Sequence, residues 1–264
     1  MLQIDQFPMP MGAAKSGVVP FPPKNRLLPC RAAERLPKPP VSVLLFSFPY
    51  ASRHLKGNIS KYAMVHDYHR VIGSILNAYC NMLAGQTGGV FVPFVDNSPL
   101  PEVSLAASAG LGFLGKNHLI IDPDYGSCLF LGAVVSNLPF ASTEREIQPC
   151  MNCGRCQTAC PGNALSETHF QREACFSEIT QKKKAPTEAQ IHIIQKHRLV
   201  WGCDICQDVC PMNRGKLPTS NPLFLQDIIC ELTEEVILNC YRERAFGFRG
   251  AKVPLRNLKL IEQK

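Results

Sequence analysis

Two cysteine runs constrain this chain more than any other feature of its sequence. Cys150, Cys153, Cys156 and Cys160 precede Pro161 and read C-x2-C-x2-C-x3-C-P. Cys203, Cys206 and Cys210 precede Pro211 and read C-x2-C-x3-C-P, the same pattern without its first member. The first run has the spacing of bacterial double-cluster ferredoxins. Its short gaps let one loop wrap three thiolates around a cuboidal 4Fe–4S cluster, and the proline ends that loop. The fourth cysteine of each run projects toward the other cluster. By this crossover rule, cluster one takes Cys150, Cys153, Cys156 and Cys210. Cluster two takes Cys203, Cys206 and Cys160 and lacks a fourth ligand, because position 200 is Val200. Cys175, between the runs, is expected to complete it. Paired C-x2-C units also build zinc ribbons, but ribbons do not repeat the C-x3-C-P continuation.

Of the 13 cysteines, Cys30, Cys80, Cys128, Cys230 and Cys240 have no ligand-like spacing and are expected to be small buried hydrophobes. The N-terminus has neither the basic region nor the long apolar stretch of an export signal. Cluster chemistry in a cytoplasmic protein is therefore expected rather than a disulfide framework. The longest apolar run, residues 41–48, is too short to span a bilayer, and no membrane partner is expected. The formal charge of +7 falls to about +3 once two oxidised clusters are counted. What stays basic is local. Residues 241–264 hold seven Lys/Arg against two Glu, and Lys182, Lys183 and Lys184 form a second basic run. Both could contact phosphates, and Tyr241, Phe246 and Phe248 could stack on bases.

Three segments are expected: an α/β layer over residues 1–145, a double-cluster module over 146–215, and a basic tail over 216–264. The proline-rich start predicts extended, irregular chain up to a strand at 41–48. Val65, His69, Ile72, Leu76, Tyr79 and Leu83 recur at helical spacing, predicting a helix that ends at a Gly85–Gly89 loop. A strand at 90–95 and a second helix from Pro101 to Ala109 follow. Residues 118–121 and 128–135 read as a hairpin around Asp122-Pro123-Asp124-Tyr125-Gly126. A polar helix is expected over 187–200.

The front segment offers three candidates for chemistry. Gly110, Gly112 and Gly115 spell G-x-G-x-x-G, but this run follows a helix and leads into a strand. The dinucleotide fingerprint requires the reverse order, so these glycines are expected to end the helix and permit a close backbone approach. Asp67-Tyr68-His69 begins like D-x-H-x-x-G, the cobalt-ligating motif of many cobalamin proteins, yet Ile72 stands where glycine is needed. His69 is therefore expected to face a mixed surface rather than a metal. Asp96 ends the apolar strand before the turn Asn97-Ser98-Pro99. Apolar surroundings there would raise its pKa toward that of a general acid, although a turn or capping role fits the same position.

From about Pro29 to about Asn257 these residues resemble the epoxyqueuosine reductase family. The matching pieces are Tyr62-Ala63, Asp67-Tyr68-His69, Phe94-Val95-Asp96-Asn97-Ser98-Pro99 and Ala109-Gly110-Leu111-Gly112-Phe113-Leu114-Gly115-Lys116. Gly126-Ser127, Phe130-Leu131-Gly132, the segment from Cys175 to Thr180 and that from Gly202 to Pro211 continue the match. The resemblance implies an α+β fold: a nitroreductase-like cobalamin-binding α/β domain, then a ferredoxin-like double-cluster domain. It implies base-off cobalamin with no protein ligand to cobalt, beside two 4Fe–4S clusters. It implies Asp96 as the catalytic acid and Tyr62, Ile120, Ser177 and Thr180 as corrin neighbours. The implied activity is reduction of epoxyqueuosine to queuosine in tRNA, fed by a low-potential donor of ferredoxin or flavodoxin type. Longer family members continue past the equivalent of Leu255-Arg256-Asn257 into a helical-repeat domain that helps hold tRNA. A short chain leaves two rivals open: a corrinoid reductase for a small or halogenated molecule, and a ferredoxin-type carrier without cobalamin.

Overall fold

The computed structural model describes residues 1–51, 56–167 and 169–263. Its centre is the strand β2 (Ser42–Pro49), an apolar run buried at every position. Alternation along a strand sends successive side chains to opposite faces, and here both faces are covered. Leu44, Phe46 and Phe48 enter one core cluster and Val43 and Leu45 another. β2 pairs antiparallel with β1 (Lys15–Pro20) on one side and with β6 (Leu129–Ser136) on the other. β3 (Phe91–Phe94) pairs antiparallel with the far edge of β6, giving the order β1-β2-β6-β3.

One face of this sheet carries the long helix α2 (Tyr68–Thr87), which buries Ile72, Ile75, Leu76, Tyr79, Cys80 and Leu83. The other carries α3 (Glu102–Ser108), which buries Leu105, Ala106 and Ala107. The result is a helix–sheet–helix sandwich. β1 lies in the segment expected to be irregular, because its pairing with β2 is a long-range contact that local composition does not encode. α2 runs through Gly85 and ends at Gly88, whose φ of 69° caps it in the left-handed region.

The expected hairpin does not form. β5 (Ile120–Ile121) pairs with β4 (Phe113–Leu114), whereas β6 pairs with β2 and β3. The glycines at 110 and 112 explain the tight β4–β5 corner. Gly110 has a φ of +81°, and a Cβ on Gly112 would lie 2.6 Å from the Ile121 carbonyl oxygen. The close approach at Gly112 is thus to this chain's own backbone, whereas Gly110 lies against the Arg145 side chain.

The cluster-bearing half is built from short helices: α4 (Arg155–Ala159), α5 (Phe176–Gln181), α6 (Glu188–His197) and α7 (Ile205–Asp208). α6 is stopped at its start by a capping box between Thr187 and Gln190. The region expected to be a tail is folded. α8 (Glu234–Cys240) and α9 (Lys252–Glu262) place Ile237, Val253, Leu258 and Ile261 in a third core with Phe176, Val200 and Trp201. Ile59, Ala63 and Met64 join that core from the front segment, the last two on α1 (Lys61–Met64). Asn257 is fully buried and donates to the carbonyls of Thr180 (2.7 Å) and Val200 (2.8 Å).

Candidate active site

A polar network forms where the start of α2 meets the end of β3. Asp67 is the N-cap of α2 and accepts from the His69 amide at 3.1 Å. The same carboxylate oxygen lies 2.7 Å from His69 Nδ1, and Asp96 Oδ2 lies 3.2 Å from His69 Nε2. Tyr68 donates its hydroxyl to Asp96 Oδ2 at 3.1 Å. The imidazole is therefore held between two carboxylates. Burial opposes its charge, but the hydrogen bonds to Asp67 and Asp96 outweigh burial and push His69 up to about 9. Both ring nitrogens then carry protons near neutrality and donate.

Asp96 responds in the direction opposite to the sequence expectation. The His69 hydrogen bond is the dominant influence and, with the charge of His69, the Tyr68 hydroxyl and Arg172, holds the carboxyl below its ordinary value despite burial. An apolar strand precedes Asp96, but the imidazolium sets its ionisation. Its φ of 59° lies in the left-handed region, which aspartate tolerates better than most residues. That turn redirects the carboxylate toward His69. His69 is half-exposed, and the surface it faces includes Asp96. No local signal reveals this, because Asp67 to His69 start α2 and Asp96 follows β3, two elements that meet only in the folded chain.

Asp96 and Tyr68 line a cavity of about 540 Å³. One wall is aromatic. Tyr68 stacks on Phe130 with ring centres 4.2 Å apart and planes 9° from parallel, and the Tyr50 ring lies 4.3 Å from Phe130. Burial raises the Tyr62 and Tyr68 hydroxyls well above their ordinary range, so both remain neutral donors. Tyr62 also lines the cavity, and its oxygen accepts from Trp201 Nε1 at 2.7 Å and Gln181 Nε2 at 3.2 Å.

The facing wall contains Cys160, Cys175, Cys203 and Cys206. A separate small pocket is lined by Cys150, Cys153, Cys156 and Cys210. These are the two sets expected from crossover spacing, with Cys160 and Cys210 each exchanged between runs. The set holding Cys153 reaches solvent, since Cys153 is exposed. The other set borders the cavity. Asp204 ties this half to the front segment: it is 7% exposed and accepts from Ser60 Oγ and the Lys61 amide, each at 2.7 Å.

The other expected corrin neighbours divide. Ser177 lines the main cavity. Ile120 lines a smaller adjoining one of about 260 Å³. Thr180 lines neither; it is buried, donates to the Ser177 carbonyl at 2.8 Å and accepts from the Gly202 amide at 2.9 Å. Its role is to hold the Cys175 segment against the Cys203 loop. Phe246 is fully buried and cannot stack on a base, Tyr241 is half-buried, and Phe248 is 62% exposed.

Known proteins resemble this chain in sequence and fold. Residues 149–213 match the family model described as 4Fe-4S double cluster binding domain, and residues 31–97 match that described as Epoxyqueuosine reductase QueG, DUF1730. The chain is 34% identical over 223 residues to the epoxyqueuosine reductase of Lactococcus garvieae, covering 80% of this chain and 62% of that protein. It is 36% identical over 160 residues to that of Gloeobacter violaceus, covering 60% of this chain and 50% of that protein. The chain spans about half the length of several of the curated relatives it matches. The epoxyqueuosine reductase of Streptococcus thermophilus superposes with a TM-score of 0.76 at 23% identity, covering 95% of this chain and 77% of that one. An epoxyqueuosine reductase solved with an epoxyqueuosine-modified tRNA-Tyr stem loop gives 0.81 at 24% identity with the same coverage. A catabolic reductive dehalogenase shares the fold more distantly, at 0.54 and 16% identity, with 95% of this chain and 34% of that one covered. The matched models, the sequence relatives and the α+β fold agree: the chain is similar to the epoxyqueuosine reductases over most of its length.

Proposed function

We propose that this protein reduces the epoxide of epoxyqueuosine in tRNA to the alkene of queuosine. The observation that carries this reading is one cavity bounded by both an acid–base network and a cysteine quartet. We assign Cys150, Cys153, Cys156 and Cys210 to cluster one and Cys160, Cys175, Cys203 and Cys206 to cluster two. The donor chemistry fits, with four thiols per pocket. Electrons would enter at the exposed Cys153 side from a low-potential one-electron donor of ferredoxin or flavodoxin type and leave at the cavity.

The cavity also fits cobalamin. The Tyr68–Phe130 stack offers a flat apolar wall, and the buried Asn117 Nδ2 on the lining has no hydrogen-bond partner among the described residues. Tyr62, Ser177 and Ile120 would flank the ring. When bound, cobalamin supplies the reducing power at the substrate carbon. His69 is not free to ligate cobalt, since Asp67 and Asp96 occupy both ring nitrogens, in keeping with a base-off cofactor. Asp96 orients toward the departing oxygen, and His69 behind it stores the proton that Asp96 passes on. The aromatic wall excludes water from that transfer.

The tRNA would lie across Lys182, Lys183 and Lys184, whose backbone is pinned by Arg256 to the carbonyls of Lys182 and Lys184, each at 2.9 Å. Phe248, backed by the Arg249 guanidinium at 4.6 Å, offers an exposed stacking face. With that substrate the protein would act in the cytoplasm; among the described residues no helix is long and apolar enough to cross a membrane. The test is anaerobic reconstitution with iron, sulfide and cobalamin, then turnover of a tRNA stem-loop bearing epoxyqueuosine against the free nucleoside. Reduction of the stem-loop supports the reading. Equal or better use of the nucleoside would indicate a small-molecule reductase, and failure to retain corrin would indicate an electron carrier.

A further inference from the structure

Converting an epoxide to an alkene breaks two C–O bonds and forms one C=C π bond and two O–H bonds. It therefore consumes two electrons and two protons for each water released. A one-electron carrier, acting twice through the clusters, accounts for the electrons. The Asp96–His69 pair holds one mobile proton, so a second must be stored within reach of the same cavity.

Glu102, the first residue of α3, is placed for this. It lines the smaller cavity of about 260 Å³, whose wall shares Tyr68, Asp96 and Phe130 with the main one. Its Oε1 is buried and has no hydrogen-bond partner among the described residues. Among the described residues no lysine or arginine pairs with it. An ionised carboxylate buried there with no cation beside it would be strongly disfavoured. Burial first, and the Asp96 charge second, push Glu102 up to about 8, against the Ser98 hydroxyl and the charge of His69. Near neutrality the site thus holds two carboxyls of opposite state: Asp96 ionised against His69, and Glu102 protonated a short way along the same wall. Environments that separate two neighbouring carboxyls in this manner mark an acid–base division of labour.

We propose that Glu102 is the second proton store of the reaction, acting through Asp96 to reload the Asp96–His69 pair after the first proton has gone to the substrate oxygen. This rests on the epoxide-reductase reading above. Glu102 is a positioning residue in this scheme: it acts on Asp96, and contact with substrate is left to Asp96.

The test compares wild type, Glu102→Gln and Glu102→Asp as holoenzymes, in turnover of the epoxyqueuosine stem-loop across pH and in infrared spectra of the same samples. Wild type should show a protonated-carboxyl band at neutral pH that fades as pH rises through about 8, with kcat falling over the same interval. Glu102→Gln should lack the band and that alkaline fall, and lose kcat by about 10- to 100-fold with KM unchanged. Glu102→Asp should recover part of kcat, which a purely structural role would not allow if both variants keep their cluster absorbance. The proposal is overturned if no band is present at neutral pH, or if Glu102→Gln retains wild-type kcat at every pH. A wild type that shows the band but leaves the epoxide intact would overturn the epoxide reading itself, and the proton role with it.

Discussion

At the scale of single residues, the site works because oppositely charged groups fix each other's protonation. Asp96 is ionised because His69 is charged, and His69 is charged because Asp67 and Asp96 flank it. Asp96→Asn should lower single-turnover epoxide reduction by about 10²- to 10⁴-fold, the range for losing a positioned proton donor, with both clusters retained by absorbance. Unchanged turnover would remove Asp96 from the proton path. His69 also links stability to pH. Its pKa in the folded chain, about 9, lies above its ordinary 6.5. The stability it contributes is thus complete below about pH 6.5 and lost as pH rises through about 9. In the cofactor-free chain, Tm should fall over that interval more steeply for wild type than for His69→Gln, read by thermal melts in parallel. None of this was legible locally. The sequence marks Asp96 as a carboxylate after an apolar strand, which argues for a raised pKa; the cation that reverses the shift arrives from another element.

At the scale of elements, the cysteine loops were almost fully legible, because ligand spacing along one loop is a local property. The fourth ligand proposed for cluster two lies outside both runs, and Cys175 is the only cysteine between them. The segment that carries it is held by the Thr180 bonds and by a close approach at Gly162. A Cβ on Gly162 would overlap the Ala174 carbonyl oxygen, one residue before Cys175. Gly162→Ala must therefore displace the Cys175 loop from Cys160. Both Gly162→Ala and Cys175→Ser should lower iron from about eight to about four atoms per chain, measured after anaerobic reconstitution. Full iron occupancy in Cys175→Ser would assign the fourth ligand elsewhere. The β4–β5 pair teaches the converse lesson. Residues 118–121 and 128–135 look like a hairpin because a turn lies between them. Each strand nevertheless finds a better partner at longer range, since β6 gains two neighbours in the sheet.

For the whole molecule, three cores divide the labour. Two sandwich the sheet, and the third clamps the cluster half to α1 and recruits α8 and α9. The basic C-terminal segment is thus a structural member, and deleting it would strip Val253, Leu258 and Ile261 from the third core. Removing surface charge is the cleaner test of RNA binding. Lys183→Glu with Lys184→Glu, both exposed, should weaken stem-loop binding and flatten its salt dependence by about 0.9 in log–log slope for each phosphate no longer neutralised. An unchanged slope would move the RNA to another face.

Sequence alone was enough for the spacing of the two cysteine runs, the long helix α2 and the strands β2 and β3 of the front segment. Each follows from spacing or periodicity within a few residues. The tertiary structure alone decided which polar groups share the cavity and in which protonation states. A pKa depends on the charges and solvent around a group, and here those neighbours come from separate elements, α2, the end of β3 and the start of α3, that only folding brings together. The same chain that displays its cysteines openly therefore keeps its acid–base chemistry hidden until it folds.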